Sequence, residues 1–349
     1  MDLTINGAPI GPGHDPFIIL EVGINHNGEM DRAREMIRSA RDAGADAVKF
    51  QTFQAARFIK DDTAMFTYVS QGKEVTESQM ALFSRHEFTP AQWAELKTTC
   101  DDEGIVFMST PQDRDDLAIL LDVGVPALKI GSDDFTNTPL VHHYAQTGLP
   151  LILSCGMANL AEVYESLTAS GALDGGEVAL LLCTSQYPTP PEDVNLAKLK
   201  TLQGAFPGLV VGLSDHTRGS VAAAAAVALG ASIFEKHFTL DRNLPGPDHW
   251  FSEDPADARR WVETIRTAHR MLGSSRVAPT SAERDMKPLA RRSITAMVDI
   301  AEGEAFTPSN VDLQRPGTGL PARNLADFHG QAARRAIKAN EQLSFSDIA

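Results

Sequence analysis

Leu209-Val210-Val211-Gly212-Leu213, then Ser214-Asp215-His216, an alanine-rich stretch from Val221 to Ala231 broken at Gly230, then Ile233-Phe234-Glu235-Lys236-His237: this segment decides the fold. Each short apolar run ends in polar residues, and a helical stretch separates the two. That is a β–α–β unit, whose strands lie parallel. The same unit recurs along the chain. Apolar runs stand at Phe17–Val22, Ala47–Phe50, Val106–Ser109, Ala127–Ile130, Leu151–Ser154 and Val178–Cys183, ahead of the two just quoted. Amphipathic stretches alternate with them, among them Asp31–Ala43, Thr89–Glu103, Asp113–Leu121, Leu160–Ser170 and Pro255–Met271. Eight β-then-α units predict a TIM (β/α)8 barrel. A doubly wound open sheet is the alternative. It usually has fewer strands and a Gly-rich fingerprint after the first, and Glu21-Val22-Gly23-Ile24-Asn25-His26-Asn27-Gly28 is not GxGxxG.

Two regions depart from the repeat. Thr52 to Phe88 has no clean period and reads either as a binding loop or as a surface insertion. Beyond Met271 the pattern turns to short strands and turns. The domains are expected at 1–273 and 290–349, joined by a linker over 274–289. The last sixty residues carry seven basic and seven acidic side chains, so the net charge of −15 belongs to the first part.

That charge argues against nucleic acid as a partner, although a local pocket can still take an anionic substrate. No run approaches the ~20 apolar residues of a membrane span. Met1 to Pro16 contains no apolar signal core, and Cys100, Cys155 and Cys183 form neither a disulfide framework nor a CxxC site. The expectation is a cytoplasmic protein without membrane partners.

A parallel barrel places its chemistry at the C-terminal ends of the strands. All eight ends carry polar groups here. His216 and His237 end neighbouring strands, each within two residues of a carboxylate. Adjacent strands stand about 4.8 Å apart, so two imidazoles there can share a divalent ion; the plainer reading is two strand-end histidines bonded to neighbours. Thr110, Lys129, Ser132 and Ser154, with Lys49, bring hydroxyls and ammonium groups from several strands toward one anion. Taken singly, each is ordinary strand capping.

Together these segments resemble the sialic acid synthases. The resemblance rests on Glu21 to Gly28, Val48-Lys49-Phe50-Gln51-Thr52, Ser109-Thr110-Pro111, Leu128-Lys129-Ile130-Gly131-Ser132 and Ser154-Cys155-Gly156-Met157. It continues through Cys183 to Pro188, Gly212 to Thr217, Glu235-Lys236-His237-Phe238, Gly246-Pro247-Asp248-His249 and Arg315-Pro316-Gly317. It implies a TIM barrel followed by a small β-clip-like antifreeze-like (SAF) domain. The implied reaction is metal-dependent condensation of phosphoenolpyruvate with an N-acetylated amino sugar to a nine-carbon 2-keto acid. The sugar is N-acetylmannosamine or an analogue; a 6-deoxy-diacetamido hexose, as for pseudaminic or legionaminic acid, is the alternative. By motif, Glu21, Lys49, His216 and His237 form the expected catalytic set, with the two histidines holding Mn²⁺ or Mg²⁺. Thr110, Lys129, Ser132, Ser154 and Ser214 resemble phosphoenolpyruvate contacts. Gln51, Tyr187, Glu235 and Asp248 resemble sugar contacts, and Ser185 stands where some members have Asn. Arg315 resembles a tail arginine that reaches the partner's substrate in a domain-swapped homodimer. Other classes stay open on the residues alone: a Schiff-base lyase using Lys129 or Lys49, a metal-dependent hydrolase, or a non-catalytic barrel that binds sugar or serves a surface polysaccharide.

Overall fold

The computed structural model describes residues 3–61 and 63–349, which divide into two compact units, Met1–Gly273 and Ser274–Ala349. In the first, eight parallel strands alternate with helices: β1 (Phe17–Gly23), β2 (Ala47–Thr52), β3 (Val106–Pro111), β4 (Leu128–Ile130), β5 (Leu151–Ser154), β6 (Val178–Cys183), β7 (Val210–Asp215) and β8 (Ile233–His237). The hydrogen-bonded order is β3-β2-β1-β8-β7-β6-β5-β4. The first strand therefore pairs with the last, from Phe17 opposite Ile233 to Glu21 opposite His237. β3 and β4 lie side by side and close a TIM barrel.

Each strand alternates between two faces. Ile18, Leu20 and Val22 of β1 turn outward and join the layer beneath the helices, where Met30–Asp42 contributes Ala33, Met36, Ile37 and Ala40 at helical spacing. Phe17 and Ile19 turn inward. They pack with Ala47, Met108, Ile152, Leu181 and Ile233 from other strands. An N-terminal hairpin, Leu3–Ile5 with Ala8–Ile10, adds Leu3, Ile5 and Ile10 to that inner core and plugs the bottom of the barrel. Above this apolar layer the barrel interior changes character, as described below.

The stretch Thr52 to Phe88 carries secondary structure of its own. It holds a short helix, Ala55–Phe58, an antiparallel hairpin of Met65–Ser70 with Lys73–Ser78, and a second short helix, Gln79–Ser84. The hairpin tip is pinned to the loop after β8: Gln71 Nε2 donates to the Asn243 carbonyl (2.9 Å), and the Gly246 N–H donates to Ser70 Oγ (3.1 Å).

The second unit pairs Ser293–Ala296 with Val311–Gln314 around a core of Ile294, Phe306, Val311, Phe328, Ile337 and Leu343. Much of the stretch expected as a linker is helical, Ser281–Ala290, started by a capping box between Thr280 and Glu283.

Candidate active site

On six of the strands a polar side chain stands two residues above an inner apolar one. Glu21 follows Ile19, Lys49 follows Ala47, Thr110 follows Met108, Lys129 follows Ala127, Ser154 follows Ile152 and Glu235 follows Ile233. The period of the strand carries the same inward face from core to site. The result is a cavity of about 340 Å³ at the C-terminal end of the barrel. Its lining includes Glu21, Lys49, Gln51, Thr110, Lys129, Ser132, Ser154, Ser185, Tyr187, Ser214, His216, Glu235 and His237.

The floor is a buried network of two lysines and two carboxylates, none more than 6% exposed. Lys49 Nζ lies 2.5 Å from Glu21 Oε2 and 3.7 Å from Glu235 Oε2, and donates to Thr110 Oγ1 (3.2 Å). Lys129 Nζ donates to Ser154 Oγ (2.8 Å) and the Ile130 carbonyl (2.9 Å), and stands 3.8 Å from Glu235 Oε1. Ser214 Oγ also donates to that oxygen (3.2 Å). Burial pushes Glu21 up to about 7, partly offset by Lys49. Burial also disfavours charge on Lys49, but Glu21 and Glu235 outweigh it and hold the ammonium above its ordinary value. On Lys129 burial prevails over Glu235 and lowers it. Glu235 is depressed, its burial outweighed by the two lysines. Lys129 thus sits among hydroxyl, carbonyl and carboxylate oxygens, the setting of an anion binder rather than the apolar pocket a Schiff-base lysine needs.

Beside this floor the rings of His216 and His237 stand with centroids 5.4 Å apart, with Tyr187 4.2 Å from His216 and Phe251 5.3 Å from His237. His216 Nδ1 lies 2.8 Å from the Thr184 carbonyl, which can only accept. In the neutral ring this contact fixes the proton on Nδ1 and leaves Nε2 its lone pair; burial disfavours the imidazolium, but Cys183, with Sγ 3.9 Å from Nδ1, and the Thr184 carbonyl outweigh it and hold His216 above the ordinary imidazole value. Burial, reinforced by His216, holds His237 well below the ordinary imidazole value, so its ring is neutral. His237 Nδ1 is buried without a hydrogen-bond partner. Two imidazoles with free nitrogens at this separation fit a shared divalent cation. Among the described residues no third His, Cys, Asp or Glu completes a protein-only metal cluster, so other ligands must come from substrate or water.

The neighbours of these histidines point the opposite way and brace them. Lys236 Nζ meets Asp215 Oδ2 at 2.9 Å and donates to the Thr217 carbonyl at 2.5 Å. Trp261 Nε1 donates to the same Asp215 oxygen (3.1 Å), and the Thr217 N–H and hydroxyl donate to Oδ1 (2.9 and 2.7 Å). Asp215 and Lys236 tie β7 to β8 one residue below each imidazole.

Two glycines mark close approach. A Cβ on Gly23, where φ is +53°, would sit 3.3 Å from Glu21 Oε1, 3.4 Å from Gln51 Nε2 and 3.8 Å from Asp248 Oδ2. These three side chains therefore converge, and Gln51 Nε2 donates to Glu21 Oε1 (3.2 Å). A Cβ on Gly156 would sit 2.5 Å from Ser185 Oγ and 2.6 Å from Ser132 Oγ, so the hydroxyl cradle closes around bare backbone.

A model of the NeuB family matches residues 36–277, and a model of the SAF domain matches residues 291–349. The chain belongs to the NeuB family. An uncharacterised protein of Methanocaldococcus jannaschii is 42% identical over 346 residues, covering 99% of this chain and 98% of that one. The N,N'-diacetyllegionaminic acid synthase of Legionella pneumophila is 37% identical over 349 residues, covering 99% and 98%. The crystal structure of the N-acetylneuraminic acid (sialic acid) synthetase of Leptospira borgpetersenii serovar Hardjo-bovis, in complex with citrate, superposes with a TM-score of 0.73 at 32% identity. It covers 82% of this chain and 94% of that one. This NeuB-family chain is an enzyme of the sugar-acid synthase type.

Of the residues expected from sequence, thirteen line the one cavity. Asp248 stands at its edge, with Oδ2 3.9 Å from His237 Nδ1, and burial pushes its carboxyl up to about 6. Arg315 belongs to the second unit, just past Val311–Gln314. Sequence reasoning missed Phe53, Phe58 and Phe83, which also line the cavity. For Phe53 a signal was present: it continues the alternation of Lys49 and Gln51. Phe58 and Phe83 come from the aperiodic loop, where nothing in the sequence announced them.

Proposed function

We propose that this enzyme condenses phosphoenolpyruvate with an N-acetylated amino sugar and water, releasing phosphate and a nine-carbon 2-keto acid. The observation that carries the reading is the cavity floor: two buried lysines among hydroxyls, sharing one 340 Å³ space with Glu21 and two imidazoles. That is an anion site next to a place for an electrophile. The family and the acid-synthase names of its relatives support the same reaction class.

Lys49, Lys129 and the hydroxyls of Thr110, Ser132, Ser154, Ser185 and Ser214 hold phosphate and carboxylate, and they stabilise the charge on the leaving phosphate. The enol carbon of phosphoenolpyruvate forms the new bond to the sugar aldehyde, whose oxygen takes the electron pair of the C=O π bond and a proton to become a hydroxyl. The carbon bearing the phosphate ester becomes electron-poor, and water adds there. Glu21, held by Lys49 and Gln51, takes the proton from that water; the new hydroxyl then loses its own proton to the departing phosphate as the C=O bond forms, and phosphate leaves with the electrons of its C–O bond. Gln51, Tyr187, Glu235 and Asp248 position the sugar. His216 and His237 hold a divalent cation, and imidazole nitrogen suits Mn²⁺ better than the harder Mg²⁺. The chemistry such a cation supplies is Lewis-acid activation of a carbonyl.

Arg315 completes the partner's site in a domain-swapped homodimer; the motif resemblance supports this. Mixing Arg315→Ala chains with Glu21→Ala chains tests it. Exchange should restore activity above the parental average, because one site then collects both lesions. The reaction is assigned to the cytoplasm, where three free, buried cysteines stay reduced. Among the described residues no helix is long and apolar enough to cross a membrane.

The deciding experiment measures phosphate release from phosphoenolpyruvate with and without amino sugar and with and without Mn²⁺. Release that needs both, and is lost in His237→Ala, supports the reading. Release independent of sugar refutes it.

A further inference from the structure

The loop that follows β8 carries two groups to His237. The chain leaves β8 at Phe238 and returns at Glu253, where the Glu253 N–H donates to the His237 carbonyl (2.9 Å) and the Thr239 N–H donates to the Glu253 carbonyl (2.9 Å). Between these points the loop places Asp248 Oδ2 3.9 Å from His237 Nδ1. It also places the Phe251 ring 5.3 Å from that of His237 and 5.2 Å from that of Tyr187. What fixes the height of this loop over the imidazole lies outside the cavity.

Asn25, in the loop after β1, is 1% exposed and takes no part in the lining. Both hydrogens of its amide are engaged: Nδ2 donates to the Phe238 carbonyl (2.8 Å) and to Ser252 Oγ (3.0 Å). The buried Ser252 hydroxyl donates in turn to the Asp248 carbonyl (2.6 Å). The chain runs one way, from amide through hydroxyl to the Asp248 backbone, and only a side chain with two donors can head it. Asn25 Oδ1 is buried without a hydrogen-bond partner. An unpaired buried carbonyl costs stability, so what the amide contributes here is its donors. The loop has other anchors. His249 Nε2 lies 3.1 Å from Asn27 Oδ1, and the Gly246 N–H donates to Ser70 Oγ (3.1 Å). On the outer side Arg218 Nη2 donates to the Trp250 carbonyl (3.3 Å), and the guanidinium lies 5.6 Å from the centre of the Trp250 ring. Loss of the Asn25 donors therefore shifts Asp248 without releasing the whole loop.

We infer that Asn25 and Ser252 are positioning residues: their donor chain fixes the Asp248 backbone, and with it the Asp248 carboxylate and the Phe251 ring, against His237. The inference rests on the sugar-positioning role given to Asp248 above. Lys49, Thr110, Lys129 and Ser154 of the floor stand on β2, β3, β4 and β5, away from this chain. Slackening it therefore acts on the sugar and spares phosphoenolpyruvate. A displacement of about 1 Å at a positioning group costs about a hundredfold in rate.

The test uses Asn25→Asp, which keeps the side-chain shape and removes both donors, Ser252→Ala, and the double variant. Each enters the phosphate-release assay with Mn²⁺ and N-acetylmannosamine or, where the parent turns it over faster, a 6-deoxy-diacetamido hexose. The kcat/KM for sugar should fall about a hundredfold in Asn25→Asp and about tenfold in Ser252→Ala, with the KM for phosphoenolpyruvate within about threefold of the parent. Both act through one chain, so the double variant should stay within about threefold of Asn25→Asp. A second readout needs no turnover. Trp93 and Trp261 are 1% exposed, so acrylamide quenching reports Trp250, between Asp248 and Phe251, and it should rise in both single variants. Where Asn25→Asp does not fold, Ser252→Ala alone decides. Sugar kcat/KM within about threefold of the parent in Ser252→Ala, a KM for phosphoenolpyruvate that rises in parallel, losses that multiply to about a thousandfold in the double variant, or unchanged quenching each overturn the inference. A parent that releases no phosphate in response to either sugar refutes the condensation instead, and quenching then still decides whether Asn25 and Ser252 hold the loop.

Discussion

Asp215 and Lys236 never enter the cavity, yet they set the separation of the two strands that present His216 and His237. Replacing Asp215 with Leu leaves Lys236, 3% exposed, as a buried ammonium with Glu253 3.6 Å away and the Thr217 carbonyl as its remaining acceptors. It also strips an acceptor from Trp261 Nε1 and from the Thr217 N–H and hydroxyl. Breaking one side of a buried pair costs about 3–5 kcal/mol. Against a total stability of about 5–15 kcal/mol that is severe, and it corresponds to a fall in Tm of roughly 6–20 °C for a domain of this size. Lys236→Met leaves the carboxylate unpaired and should cost a similar amount. The double variant Asp215→Leu/Lys236→Met removes both charges, and much of the loss should return because the desolvation of two ions disappears as well. Urea unfolding followed by tryptophan fluorescence reads all four proteins, with Trp261 at the altered contact. Activity should not recover with stability in the double variant, since the polar tie that fixes the two imidazoles is gone. A single variant within about 1 kcal/mol of the parent, or a double variant no more stable than the singles, would show that the pair is not the brace described here.

Acid should weaken the barrel through a second group of histidines. Burial lowers His26 well below its ordinary value, lowers His86, and lowers His249 to about 4. A depressed folded value means the unfolded chain binds the proton first. This stability is complete above about pH 6.5 and drains as the pH falls toward 4, with His249 alone contributing about 3 kcal/mol. Urea midpoints taken between pH 7.5 and 4.5 should fall steadily, and a flat profile contradicts the assignment. Lys129→Met should raise the KM for phosphoenolpyruvate about thirtyfold and leave that of the sugar within about threefold; the reverse pattern would exchange the two subsites. Gly156→Ala, whose Cβ would stand 2.6 Å from Ser132 Oγ, should weaken phosphoenolpyruvate binding at least tenfold in a folded protein by circular dichroism.

The barrel and the cavity floor were legible because one rule governs both. A strand's period of two carries an apolar residue and, two places on, a polar one to the same inner face, as in Ala47 and Lys49 or Ile152 and Ser154. The pattern showed which residues end strands, and the architecture dictates that strand ends converge. Phe58 and Phe83 obey no such rule, being separated by a hairpin whose placement depends on Ser70 and Gln71 meeting the loop after β8. The helix over Ser281–Ala290 was readable in Thr280-Ser281-Ala282-Glu283, a capping box hidden by the Ser and Gly residues before it. The outward tie of Asp215 to Lys236 carries no periodic signature, because both residues read as ordinary strand-end polarity.

The ladder between the first strand and the last has a consequence for how the protein comes into being. Glu21 lies opposite His237, more than two hundred residues downstream. A nascent chain emerging from the ribosome can build helices and early strand pairs, but its catalytic mouth stays open until β8 arrives and zips against β1. Contacts of such span are slow to form, since the entropy of closing the loop must be overcome before they return anything. A premature stop upstream of Ile233 leaves β1 without its β8 partner, with exposed strand edges and an incomplete site. Synthesis of the active enzyme is therefore all or nothing in the chain as well as in the fold, and fragments become clients for chaperones rather than weak catalysts.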